Sequence, residues 1–139
     1  MRRSFRRGAS AVEFALTLPF VIALVAITVE WGWVLSQQAW VHAAARDACR
    51  FTVELDPRNT DINAQAALSA QEWLTTYDFN CGGGDCSIAT ETKRVGGREA
   101  LTVAVVVEYR PIFGLIPVPE RLRGESTHLL RYQPIAAIE

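Results

Sequence analysis

The chain has 139 residues, room for one domain and an appendage but too few for two full domains. Half of the residues are hydrophobic, which excludes a disordered chain, and a formal net charge of −1 gives no overall case for nucleic-acid binding. The charge is unevenly placed: Arg2, Arg3, Arg6 and Arg7 precede any acid, and without residues 1–8 ten Lys and Arg face fifteen Asp and Glu, a formal charge of −5.

Phe14 to Val29 is a run of sixteen residues without a charge, broken by Glu30 and resumed from Trp31 to Leu35. As a helix, residues 14–35 span about 33 Å against a hydrocarbon core of about 30 Å. One membrane crossing fits, and no later stretch approaches that length. Four arginines before the run, against Arg46 and Arg50 soon after it, predict a cytoplasmic N-terminus and an extracytoplasmic body. A secretory signal peptide fits less well, because its shorter apolar middle ends at a small-residue cleavage site. Here the run ends in Glu30-Trp31-Gly32-Trp33, and the nearest A-x-A is Ala43 to Ala45. A buried core helix would leave the arginines unexplained.

The junction Arg6-Arg7-Gly8-Ala9-Ser10-Ala11-Val12-Glu13-Phe14 sets a glycine after basic residues, then small residues, then one carboxylate, then the apolar run. Glycine lets a backbone extend into a protease cleft. A carboxylate at the edge of a bilayer costs several kcal/mol unless partnered. This pattern resembles a class III prepilin processing site, which implies cleavage by a prepilin peptidase between Gly8 and Ala9. Glu13 would then be the fifth mature residue, an assembly carboxylate whose natural partner is an N-terminal ammonium.

The resemblance narrows with Arg7-Gly8-Ala9-x-Ala11-Val12-Glu13-Phe14-Ala15-Leu16-x-Leu18-Pro19, Glu30-x-Gly32 and Ala43-Ala44-Ala45-Arg46-Asp47-x-x-Arg50. Over residues 7–51 the chain resembles the TadE family, minor pseudopilins of the Tad machinery that builds Flp (type IVb) pili used in adherence. Trp33 departs from the family pattern, which often has a basic residue there. The resemblance implies a leader at 1–8, a transmembrane and continuing helix at 9–55 and an extracytoplasmic head at 56–139. It also implies an inner-membrane location and, as partners, other Tad pseudopilins, Flp pilin and the assembly platform. The rival reading is an unprocessed bitopic protein whose head binds an envelope component or ligand.

Within the apolar helix, Pro19 removes the hydrogen bond to the Ala15 carbonyl and predicts a bend or loosening. Glu30, seventeen residues after Glu13 and about 25 Å along a helix, reads as a carboxylate at the outer boundary. It is reached by water or contacts another pseudopilin. Trp31, Trp33 and Trp40 read as boundary anchors.

Past the membrane, Trp33, Trp40, Ala44, Ala48, Phe51 and Leu55 form a helical stripe able to pack on a head, ended by Asp56-Pro57-Arg58-Asn59. A second helix starts near Asp61, capped by Asp61 or Thr60, with Ile62, Ala66, Ala70 and Trp73 on one face. Alternation from Leu101 to Arg110 predicts a strand with one buried face. Gly96-Gly97 predicts a hairpin back to a strand near Ser87 to Lys93, and Ser126 to Tyr132 can supply a third strand. The fold class is therefore α+β: a long N-terminal helix with a small head of one more helix and about three antiparallel strands, a pilin-like arrangement. Pro111 to Pro119 is too proline-rich for a strand and unusually apolar for a loop. Shelter for the sheet's own core is preferred over docking on the membrane or a partner pilin.

Cys81 and Cys86 enclose four flexible residues, and a disulfide is preferred in an extracytoplasmic setting over half of a zinc site. Cys49 is left as a buried small residue of the helix stripe. Two histidines, with no G-x-S-x-G, no phosphate-binding glycine loop and no H-E-x-x-H, predict no enzyme, no metal and no cofactor. A redox role for the cysteine pair is a distant third reading.

Overall fold

The computed structural model describes residues 4–56, 58, 60–81, 84–114 and 117–132, with side chains from Ser10 onward. Helix α1 (Ser4–Thr52) and helix α2 (Ile62–Thr76) precede strands β1 (Cys86–Val95), β2 (Arg98–Glu108) and β3 (Arg121–Leu129). The strands form one antiparallel sheet in the order β1-β2-β3, so the fold class is α+β. Contacts divide the chain into two compact units: residues up to Leu35 with Pro111–Val118, and Ser36–Arg110 with the chain from Pro119 onward.

In the first unit, α1 is apolar and continuous through Pro19, so the expected disturbance there does not interrupt the helix. An 18-residue window of this helix reaches a mean hydropathy of 2.3 with none of it buried. Phe14, Leu16, Phe20, Ile22 and Leu24 are all exposed. A surface this apolar does not stay in water, because each such side chain is worth about 1.5–3 kcal/mol on burial. Length, composition and exposure make it a candidate membrane span.

The second unit is a helical layer on one face of the sheet. Alternation works as expected in β2, where Leu101, Val103, Val105 and Val107 are buried. The residues paired with Val105 are Ile88 on β1 and Gly124 on β3, so these three share the inner face. On the opposite face Thr102 and Thr127 share a hydroxyl hydrogen bond of 2.9 Å, and Arg123 pairs with Glu125 at 2.8 Å. The β1–β2 connection is the two-residue loop Gly96-Gly97, with φ of +59° and +82°. Both glycines occupy the left-handed region that a type I′ hairpin needs.

Helix α2 starts at the expected cap: an Asp61 carboxylate oxygen accepts from the N–H groups of Asn63 at 3.0 Å and Ala64 at 3.2 Å. Its buried face is Ile62, Ala66, Ser69, Ala70 and Leu74, so Leu74 takes the place expected for Trp73. The stripe of α1 is likewise rotated. Val41, Ala44, Ala45, Ala48, Cys49 and Thr52 are buried, whereas Phe51 lies exposed. The small residues on that face let the backbones approach. Trp40, expected as a boundary anchor, has a partner within the second unit, where its ring stacks on Tyr77 at 5.6 Å.

Strand β3 begins five residues before the expected Ser126 and ends at Leu129. Its first half, Arg121 to Glu125, has charged residues on the outer face and only Leu122 and Gly124 turned inward, a weak apolar signal.

Candidate functional site

The residues singled out along the sequence fall into three places. Gly8 and Ala9 lie in the first turns of α1, ahead of the described side chains. Glu13 follows Ala9 by four residues, which puts the two positions on one helical face about one turn apart. It is exposed and makes no ion pair among the described residues. The apolar side chains after it are equally uncovered, so this end of α1 presents a carboxylate at the head of a bare apolar cylinder.

Glu30 is the opposite case. It is 1% exposed. One carboxylate oxygen, Oε1, accepts the N–H of Ile112 at 3.0 Å and the other, Oε2, accepts the N–H of Phe113 at 2.8 Å. Two successive backbone donors converging on an anion form a strong, charge-assisted clamp. Glu30 is thus buried against a loop of its own chain, with a backbone N–H on each carboxylate oxygen, a partner that neither expectation named. The Pro111–Val118 segment groups with the apolar part of α1 and not with the unit that holds the sheet. Gly114, with φ of +64°, turns the chain just after the clamp. Gly32 has open space around its Cα, so nothing in the described chain requires a glycine there.

In the second unit, Cys81 and Cys86 form a disulfide. Next to it, the Asp85 carboxylate accepts from the Arg110 guanidinium at 2.7 Å, and the Asp85 carbonyl accepts the N–H of Glu108 at 2.9 Å. The start of β1 is thus tied to the end of β2. Cys49 is buried, its Sγ donating to the Leu101 carbonyl at 3.3 Å, and burial pushes the thiol above its ordinary pKa. A thiol so placed packs and does not react.

Two features escaped the sequence reading. One is a groove of about 690 Å³ between α1 and α2, lined by Asp47, Arg50, Phe51, Glu72 and Trp73 among others. Phe51 and Trp73 line it because the inner faces are rotated from the expected ones, and its rim is mainly acidic. The other is Gly124, where an added Cβ would lie 2.6 Å from the Val41 carbonyl oxygen and 2.9 Å from the His42 nitrogen. The signal was present, since a lone glycine within a strand pattern marks a close backbone approach. Among the described residues, no group of three or more His, Cys, Asp or Glu is arranged to hold a metal ion.

Residues 8–50 match the family model described as TadE-like protein. This interval contains Gly8, Glu13, Glu30 and the Asp47/Arg50 pair of the groove. No curated protein and no solved structure matches the chain.

Proposed function

We propose that the chain is a minor pseudopilin of a Tad machine, processed between Gly8 and Ala9 by a prepilin peptidase and active in assembly or initiation of Flp-type pili. The observation that carries this reading is the coincidence of the TadE-like match over residues 8–50 with an 18-residue stretch of α1 that is apolar and unburied. In this reading residues 14–35 cross the inner membrane, with the arginines on the cytoplasmic side and the body from 56 onward outside. The protein works by association and not by catalysis, with other Tad pseudopilins, Flp pilin and the assembly platform as partners.

The role of Glu13 follows from its placement. Cleavage after Gly8 removes four positive charges that oppose withdrawal of the helix from the membrane and frees the amine of Ala9 one turn from the carboxylate. Glu13 then lies one turn from the start of the shortened helix, near the positive end of the helix dipole, which favours an anion. An ammonium from its own chain or from a neighbour completes the pair in a medium where an unpaired carboxylate is costly. The side chains from Phe14 to Val25 meanwhile exchange lipid contact for contact with adjacent pilin helices.

The test is the N-terminal sequence and intact mass of the membrane-extracted protein, from cells with and without the prepilin peptidase. The expected result is a start at Ala9 only where the peptidase is present. A start at Met1 in both strains overturns the reading in favour of an unprocessed bitopic receptor or scaffold.

A further inference from the structure

We propose that the loop beginning at Pro111 is a second membrane contact, which seats Ile112 and Phe113 in the interfacial layer of the outer leaflet and is held there by Glu30. The inference rests on the reading above in one respect, that residues 14–35 span the bilayer.

Depth is the first argument. Glu30 stands near the outer end of the apolar run, and its two oxygens bind the N–H groups of Ile112 and Phe113 directly. The loop residues are therefore held at the level of Glu30 and of its neighbour Trp31, where aromatic side chains settle between headgroups and acyl chains. Exposure is the second. Ile112 is 49% exposed and Phe113 50%, and Trp31 beside Glu30 is 46% exposed. These apolar surfaces continue the lipid-facing surface of α1, which identifies the covering partner as the bilayer.

Backbone chemistry is the third argument. Non-helical backbone is poorly tolerated in an apolar medium because its N–H groups go unpaired. Pro111 has no N–H, and the next two N–H groups are both taken by the Glu30 carboxylate. Three successive positions thus present no unpaired donor. The same two bonds supply the buried carboxylate with the partners it requires. Glu30 is accordingly a positioning residue: it sets the depth of the loop and makes the leading part of its backbone compatible with lipid.

The test uses the full chain carrying Cys49→Ala, so that an introduced cysteine is the reactive thiol, reconstituted in phosphatidylethanolamine/phosphatidylglycerol vesicles. An environment-sensitive fluorophore is attached through Phe113→Cys, through Arg94→Cys on exposed β1, or through Leu24→Cys in the middle of the span. Quenching is read with aqueous iodide and with lipids carrying a nitroxide near the carbonyl. For Phe113→Cys the expected iodide quenching is about five-fold weaker than for Arg94→Cys, with strong quenching by the shallow nitroxide. Adding Glu30→Ala brings iodide quenching of the Phe113→Cys probe to within about two-fold of the Arg94→Cys value, and Glu30→Gln, which keeps one acceptor, falls between. Equal iodide access for the two probes overturns the proposal. So does shielding from both quenchers, which would mean that protein covers the loop, and an unchanged profile in Glu30→Ala removes the role of Glu30. The Leu24→Cys probe, read with a lipid carrying its nitroxide near the acyl-chain end, separates the two readings: if that lipid does not quench it, the span itself has failed.

Discussion

At Gly124 the absence of a side chain sets the spacing between β3 and α1. The Cβ of an alanine would meet the Val41 carbonyl oxygen at 2.6 Å and its carbon at 2.8 Å, and a helix backbone cannot yield as a flexible side chain would. Either β3 or α1 must shift, which strains the bond beside the contact, where the Gln38 side chain donates to the Arg123 carbonyl at 2.7 Å. Gly124→Ala is therefore expected to cost about 1–3 kcal/mol, the usual range for overpacking. The measurement is thermal unfolding of the detergent-solubilised chain, followed by the near-ultraviolet circular dichroism of Tyr77 and the Trp40 and Trp73 rings that stack on it at 5.6 and 6.5 Å, with a midpoint lowered by about 10 °C. A midpoint within a degree of the parent would mean that the approach of the two backbones is not a constraint. Glu30 shows the converse lesson. Its rarity in an apolar run announced that it matters, but its partners are backbone groups more than eighty positions away, and backbone groups carry no sequence signal.

At the level of elements, legibility followed the strength of the side-chain period. Strand β2 was plain because Leu101, Val103, Val105 and Val107 alternate without interruption and all four are buried. Strand β3 was obscured because its inner face opens with Leu122 and Gly124 and continues with Ser126 and His128, so the inward positions do not look apolar. In the helices the period was legible but the phase was not. Large aromatics attracted the assignment of the buried face, whereas close packing on the sheet favours Ala44, Ala45, Ala48 and Cys49 in α1 and leaves Phe51 and Trp73 on the groove. The Cys81–Cys86 disulfide closes the connection between α2 and β1. A ring of six residues restricts the unfolded chain by about 2 kcal/mol in the chain-entropy model. Reduction of the solubilised chain is expected to lower the same thermal midpoint by about 10 °C while leaving the far-ultraviolet helix signal at low temperature intact. A Cys81→Ser/Cys86→Ser variant that melts with the oxidised parent would assign the disulfide no part in stability.

For the whole molecule, the two acidic residues of the apolar segment differ in whether the chain itself completes them. Glu30 has both oxygens occupied from within, so its substitution acts first on the protein that carries it. Glu13 is exposed, forms no ion pair among the described residues and stands at the start of a surface that has no cover in the single chain. Its free energy must be settled by something outside the folded monomer, and in the proposed reading this is the amine released at Ala9 or that of an adjacent subunit. Glu13→Val removes the charge without disturbing any contact described within the chain, and it makes the span more apolar. The expected outcome is a variant that accumulates in the membrane at parental level, melts at the parental midpoint and yet supports at least ten-fold fewer pili, the loss that about 1.4 kcal/mol of pairing at the assembly step would produce. Glu13→Gln, isosteric but uncharged, is expected to be nearly as defective, because an amide cannot form the ion pair. Immunoblots of membranes and pilus counts by electron microscopy measure the two quantities separately. Parental piliation with either variant would show that the carboxylate is not paired during assembly, and would leave the apolar face of α1 as the only part of the segment that partners can read.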